Sequence, residues 1–163
     1  MKQTADKKHK TKSGEPAGGK VYPDHGAVAY CLHETAVAAG YSTAKLVEAV
    51  EAGLPVEELE VLRAGLDLPL EQLASRLGIS KATLHRRKRT GRLEPEESGR
   101  VLRLARLTGR AVEVLESKDN ARAWLSSPQM GLGGAVPLDY AETEIGAREV
   151  EDLLGRIEYG VYS

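Results

Sequence analysis

One stretch constrains this chain more than any other, the run from Pro69 to Gly91. Leu70, Leu73, Ala74 and Leu77 fall at i, i+3, i+4 and i+7, which gives a helix one apolar face, and Pro69 sits at its favoured opening position. Gly78 stops that helix and Ile79 packs into the turn. Ser80 then caps a second helix that runs to Gly91, with Leu84 and the stems near Lys88 turned inward. The small Ala74 lets two helices cross closely, Gly78 permits the tight turn, and Leu84 closes the corner. Those are the demands of a helix-turn-helix.

The rest of the chain from Ser42 keeps the same helical period. Ser42 is placed to cap a helix through Glu51 closed by Gly53. Pro55 opens a second helix that ends near Gly65 and carries Val56, Leu59 and Leu62. A helix from Pro95 to Thr108, ended by Gly109, bears Val101, Leu102, Leu104, Ala105 and Leu107. That apolar face is wider than one stripe and calls for two neighbours, which makes it a candidate pairing surface. Beyond it, Arg110 to Glu116 forms a helix, Asp119 caps a short one bearing Ala121, Trp124 and Leu125, and Gly131, Gly133 and Gly134 shape a turn. The last helix begins near Thr143 and buries Val150, Leu153, Leu154 and Ile157, while Arg148, Glu149, Glu151, Asp152, Arg156 and Glu158 face out. The fold class is therefore all-α. Its organisation reads as a basic tail over 1–20, an arm of unassigned form over 21–41, a helix-turn-helix domain over 42–109 and a small helical domain over 110–163.

Composition narrows the chemistry. Phe is absent and aromatics are 4% of the 163 residues, so the core must be built from Leu, Val and Ala, which suits packed helices. Cys31 has no partner cysteine, and no apolar run resembles a signal peptide or a membrane span, so the expected setting is the cytoplasm. His25, Cys31 and His33 invite a metal reading, but only His9 and His85 remain as further histidines and no four-ligand spacing appears; no metal and no cofactor are expected. Gly14 to Lys20 spells a phosphate-loop pattern without the Ser or Thr that would hold magnesium, since Val21 follows. The carboxylates Glu149, Glu151 and Asp152 lie on a solvated helix face with no nucleophile spaced to work with them, so no catalytic role is assigned.

The net charge of −1 conceals a pattern. Residues 81–110 carry ten basic and three acidic side chains, whereas residues 21–80 carry three and nine and residues 111–163 carry four and ten. A basic band between acidic blocks points to one surface for a polyanion and another for a different partner. On the second helix of the pair, Lys81, Ala82, His85, Arg86 and Arg89 share an outward face with Thr83 beside it, suited to the major groove of DNA. Arg86 and Arg89 are placed to bond guanine edges, His85 to contact bases or phosphate, and Ser80, Lys81, Arg87 and Lys88 to grip the backbone. One small domain reads few base pairs, so a homodimer is expected.

The run AWLSSPQMGLGGAVPLDYAETEIGAREVEDLLGRIEYGVYS, following a helix-turn-helix, resembles the Xre/MbcA/ParS antitoxins of bacterial type II toxin-antitoxin systems. The elements that carry the resemblance are Trp124-Leu125, Gly133-Gly134 with Pro137-Leu138, and Gly146-Ala147-Arg148 leading through Val150, Leu153 and Leu154 to Tyr159-Gly160. It covers about Ser42 to Ser163 and leaves residues 1–41 without a matching motif. The resemblance implies as partner a RES-domain toxin that consumes NAD or uses it to modify a target, a C-terminal segment that enters or covers the toxin's active-site cleft, dimers formed by the N-terminal half, and binding of the operon's own promoter DNA. Carried onto this chain, the toxin-binding residues are Arg156, Tyr159, Gly160, Val161, Tyr162 and Ser163. The acidic C-terminal half would complement a basic dinucleotide cleft, and a terminal carboxylate would mimic a phosphate there. The competing reading is a stand-alone helix-turn-helix regulator whose C-terminal half dimerises or binds a ligand. A terminal Val-Tyr can also fold back onto its own domain, so plug and folded-back end both stay open.

Overall fold

The computed structural model describes residues 26–32 and 42–161. Within them the helices follow in order as α1 (Ala27–Cys31), α2 (Thr43–Ala52), α3 (Glu58–Leu66), α4 (Leu70–Arg76), α5 (Lys81–Thr90), α6 (Pro95–Leu115), α7 (Lys118–Leu125), α8 (Pro137–Tyr140) and α9 (Glu144–Glu158), with a 3-10 turn at Met130–Leu132. No described residue lies in a strand, and bridging is confined to the isolated pairs Pro55–Arg92 and Gln129–Ala135. The basic tail, the phosphate-loop look-alike, His9, His25, His33, Tyr162 and Ser163 lie outside the described residues.

α6 is the axis around which the other helices pack. Pro95 and a capping box start it: the Glu97 carboxylate accepts from Glu94 N at 2.8 Å while Glu94 returns the bond to the third turn position. The sequence places its end at Gly109, but the helix continues unbroken to Leu115. An interior glycine costs a helix about 0.5–1 kcal/mol relative to alanine. Here burial of Leu107, Thr108 and Ala111 around it outweighs that, and Thr108 Oγ1 donates back to Leu104 O at 2.8 Å. The boundary drawn between 109 and 110 therefore falls inside one helix. The wide apolar face of α6 is likewise absorbed within the chain, by contacts with α1, α2, α3, α7 and α9. Val101, Leu102, Leu104, Ala105 and Leu107 are all buried, so they supply no pairing surface.

The unassigned arm contributes to the core. Ala27, Val28, Cys31 and Leu32 of α1 and its end are buried against α3 and α6. Its amino end is held by the buried Glu58 carboxylate, which accepts from Gly26 N at 2.5 Å and from Val28 N at 3.0 Å. α3 ends near Gly65, as the sequence suggests, and Gly65 also seats α1: a Cβ there would lie 2.9 Å from Leu32 Cδ1. Its last residue is Leu66, and it closes on Asp67 at a positive φ of 55°. Pro55 does not open α3. It pairs with Arg92 in a short bridge, flanked by Val56 N to Gly91 O at 3.0 Å and Leu93 N to Leu54 O at 2.9 Å.

Arginines tie the C-terminal half to this frame. Arg122 of α7 donates to Gly65 O at 2.8 Å and Ala64 O at 3.0 Å, satisfying the open carbonyls at the end of α3. Arg76 of α4 meets Asp139 of α8 at 2.8 Å, Arg103 of α6 meets Glu144 of α9 at 2.8 Å, and Arg110 of α6 grips Glu158 of α9. Ser117, not Asp119, caps α7, its hydroxyl accepting from Asn120 N.

Candidate functional site

The corner between α4 and α5 forms as the spacing requires. Gly78 takes a φ of 67°, Ile79 N bonds back to Ala74 O at 2.8 Å and Gly78 N to Ser75 O at 3.0 Å, a Schellman closure that only a residue tolerant of positive φ makes cheaply. Ile79 and Leu84 are buried beneath it. Ser80 caps α5 by accepting from Thr83 N at 3.1 Å, and its own hydroxyl donates to Thr83 Oγ1. Gly91 ends the helix at a φ of 76°.

On this frame Lys81, Ala82, His85, Arg86, Lys88 and Arg89 are exposed and Thr83 is half-buried. Lys81, Arg86, Lys88 and Arg89 enter no ion pair among the described residues. The result is an exposed, cationic helix face among the described residues.

Arg87 stands apart from its basic neighbours. The inward register of α5 pairs Leu84 with Arg87, not with the stem of Lys88. The Arg87 side chain is only 11% exposed and spends its fork on Glu97, Nε to Oε2 at 2.8 Å and Nη2 to Oε1 at 3.1 Å, with Glu94 reached at 3.0 Å. The Glu97 hydrogen bond holds the guanidinium protonated beyond its ordinary value. Burial by itself would raise the Glu97 carboxyl. The Arg87 hydrogen bond, the Glu94 amide and the Arg87 and Arg100 charges together outweigh that and set it below the usual carboxylate range. Arg87 therefore clamps α5 to the start of α6 and is withdrawn from the expected backbone contacts.

The second surface is the outer side of α9. Thr143 caps it, accepting from Gly146 N at 3.0 Å. Gly146 is needed there, since a Cβ would fall 1.8 Å from Tyr140 O. Ala147, Val150 and Leu154 are buried and Leu153 and Ile157 half-buried, which leaves Ile145, Glu149, Asp152 and Tyr159 facing outward with Arg156 half-buried among them. At its end a second Schellman turn forms, with Gly160 at a φ of 66° and Val161 N bonded to Arg156 O at 2.9 Å. Ile145 is 77%, Tyr159 79% and Val161 53% exposed, so the described part of the tip does not fold into the core.

A larger groove of about 980 Å³ lies between α2, α6 and the start of α9, with Leu46, Val47, Leu102 and Ala147 on its floor and side chains of both charges at its rim. Sequence reasoning does not single it out, because its walls come from three distant segments. Among the described residues no three His, Cys, Asp or Glu converge to hold a metal ion, and no helix is long and apolar enough to cross a membrane. Cys31 is buried in α1, and burial pushes its thiol up to about 11, with Arg106 lowering it and Glu58 raising it.

Comparison with known proteins finds a family model over each half of the described chain. Residues 45–106 match the model of the antitoxin Xre-like helix-turn-helix domain, and residues 110–160 match that of the antitoxin Xre/MbcA/ParS C-terminal toxin-binding domain. Antitoxin Xre of Yersinia enterocolitica is 38% identical over 120 residues, covering 72% of this chain and 81% of the relative. Antitoxin Xre of Pseudomonas putida is 30% identical over 128 residues, covering 77% and 70%. The Prs ADP-ribosylating antitoxin of a Sphingobium species is 28% identical over 124 residues, covering 70% and 78%.

Proposed function

The chain belongs to the Xre antitoxin family, and from that premise we propose that it neutralises a RES-domain toxin that consumes NAD. In this reading the outer face of α9 docks on the toxin, and Arg156 with Tyr159 to Ser163 covers the active site. The observation that carries the proposal is the tip itself: Tyr159 and Val161 stand exposed at the end of a helix whose other side is locked into the core, inside the matched toxin-binding span. The outer face also carries Glu149 and Asp152, which complement a cleft made to hold an anionic dinucleotide. The name of the Sphingobium relative, an ADP-ribosylating antitoxin, fits a partner with NAD chemistry. Removing residues 159–163 should free the toxin's NAD consumption while promoter binding is kept. Full inhibition by the truncated chain would refute the proposal.

The second half of the proposal is autoregulation. A two-fold pair of chains presents Lys81, Ala82, Thr83, His85, Arg86, Lys88 and Arg89 to successive major grooves of its own promoter, with Ser80 at the amino end of α5. Arg86 and Arg89 read bases, each contact worth about 1–3 kcal/mol of discrimination. Replacing both with Ala and finding undiminished promoter binding at matched salt would refute the assignment.

A further inference from the structure

Glycines in the C-terminal half answer to visible local needs, with one exception. Gly160 holds a positive φ, Gly131 lies against Leu153, and Gly146 lies against the Tyr140 backbone. Gly155 has no such reason. It sits inside α9 without a positive φ, and a Cβ built on it meets no heavy atom within 4 Å. Glycine is a far poorer helix former than alanine, so the free chain gains nothing from it.

Its surroundings supply the missing reason. Gly155 forms part of a shallow groove of about 460 Å³ whose other walls are Glu149, Asp152, Arg156, Tyr159 and Val161. Arg156 Nε is shut off from solvent and has no hydrogen-bond partner among the described residues. Tyr159 and Val161 stand out beside it. Bare helix backbone, flanking carboxylates and uncovered apolar side chains in one groove suit close passage of another chain's backbone.

We propose that the main chain of the toxin crosses α9 at Gly155, nearer than any side chain at that position would allow. A toxin carbonyl or carboxylate accepts from Arg156, and basic toxin groups face Glu149 and Asp152. This rests on reading the outer face of α9 as the toxin-docking surface, and it fixes where the contact is tightest.

Gly155→Ala and Gly155→Leu separate the partner's need from the chain's own. Both should raise the melting temperature of the free chain, the alanine variant by about 3 °C. Both should weaken binding to the co-encoded toxin in isothermal titration, by tenfold or more for Ala and further for Leu. Gly99→Ala, at an equally open position within α6, should raise the melting temperature alike and bind the toxin as the parent does. If the Gly155 variants bind at parental affinity while removal of residues 159–163 abolishes binding, the docking reading stands and the crossing at Gly155 is overturned. If the truncated chain also binds at parental affinity, the docking reading falls with it. An equal loss in Gly99→Ala would also overturn the proposal, because the effect would then follow helix stiffening and not position.

Discussion

Arg87 offers the sharpest test of how the cationic helix works, because composition alone makes it indistinguishable from Arg86, Lys88 and Arg89. A side chain that neutralises a DNA phosphate contributes about 0.9 to the slope of log affinity against log salt. With Arg86 and Arg89 on bases and Arg87 sequestered by Glu97 and Glu94, Lys81 and Lys88 are left for the backbone, and two phosphates give a slope of about −1.8 per protomer. Lys88→Gln should reduce that to about −0.9 per protomer. Arg87→Gln should leave it unchanged, yet lower promoter affinity at every salt concentration, because α5 loses its hold on α6. Fluorescence anisotropy with labelled promoter DNA across a salt series reads both quantities. Glu97→Gln, at a residue facing away from DNA, should reproduce the Arg87→Gln phenotype, and the double variant should be no worse than either alone, as expected of two groups acting as one unit. A slope reduced by about 0.9 in Arg87→Gln with an unchanged melting temperature would show that Arg87 leaves Glu97 to meet phosphate, and would refute the clamp.

The same ion pair sets an acid limit. The Glu97 carboxyl is lowered in the folded chain, so its contribution to stability is complete above its ordinary value near 4.5 and is lost as pH falls through the lower folded value. Urea midpoints measured downward from pH 6 should drop more steeply in the parent than in Glu97→Gln; parallel profiles would contradict this. Cys31 should resist alkylation at pH 8 until the chain is denatured, being buried with its thiol pushed up to about 11. Its share of stability is present below about pH 9 and fades as pH rises towards the folded value. Glu58→Ala orphans the buried amides of Gly26 and Val28 and should cost about 2–5 kcal/mol, or free α1 altogether. Faster alkylation of Cys31 together with a lower melting temperature would report it, and parental values of both would mean α1 is not held by Glu58. Gly146→Ala must push the start of α9 off the Tyr140 carbonyl, so it should destabilise the chain by about 1–3 kcal/mol in urea unfolding, whereas stability equal to the parent's would show that the turn yields freely.

What the sequence makes legible is what short-range chemistry decides. The corner at Gly78, the caps at Ser42, Ser80 and Thr143, and the exposed cations of α5 each depend on residues within a few positions of one another, and they lie where the spacing puts them. What long-range packing decides was not legible. α1 has a weak pattern of its own, and its place depends on Glu58 thirty residues away and on the space left at Gly65. Arg87 reads as one more cation until Glu97, ten residues on, is seen beneath it. Gly109 reads as a stop because its burial cannot be weighed from its neighbours in sequence. That last difference bears most on function. A break at Gly109 would leave two halves free to reorient. A continuous α6 instead carries the clamp for α5 near its start, through Glu97, and the grips on α9 further along, through Arg103 and Arg110. The helix proposed to face DNA and the helix proposed to face the toxin are thus both fixed to one rod, so the angle between α5 and α9 is set by α6 itself.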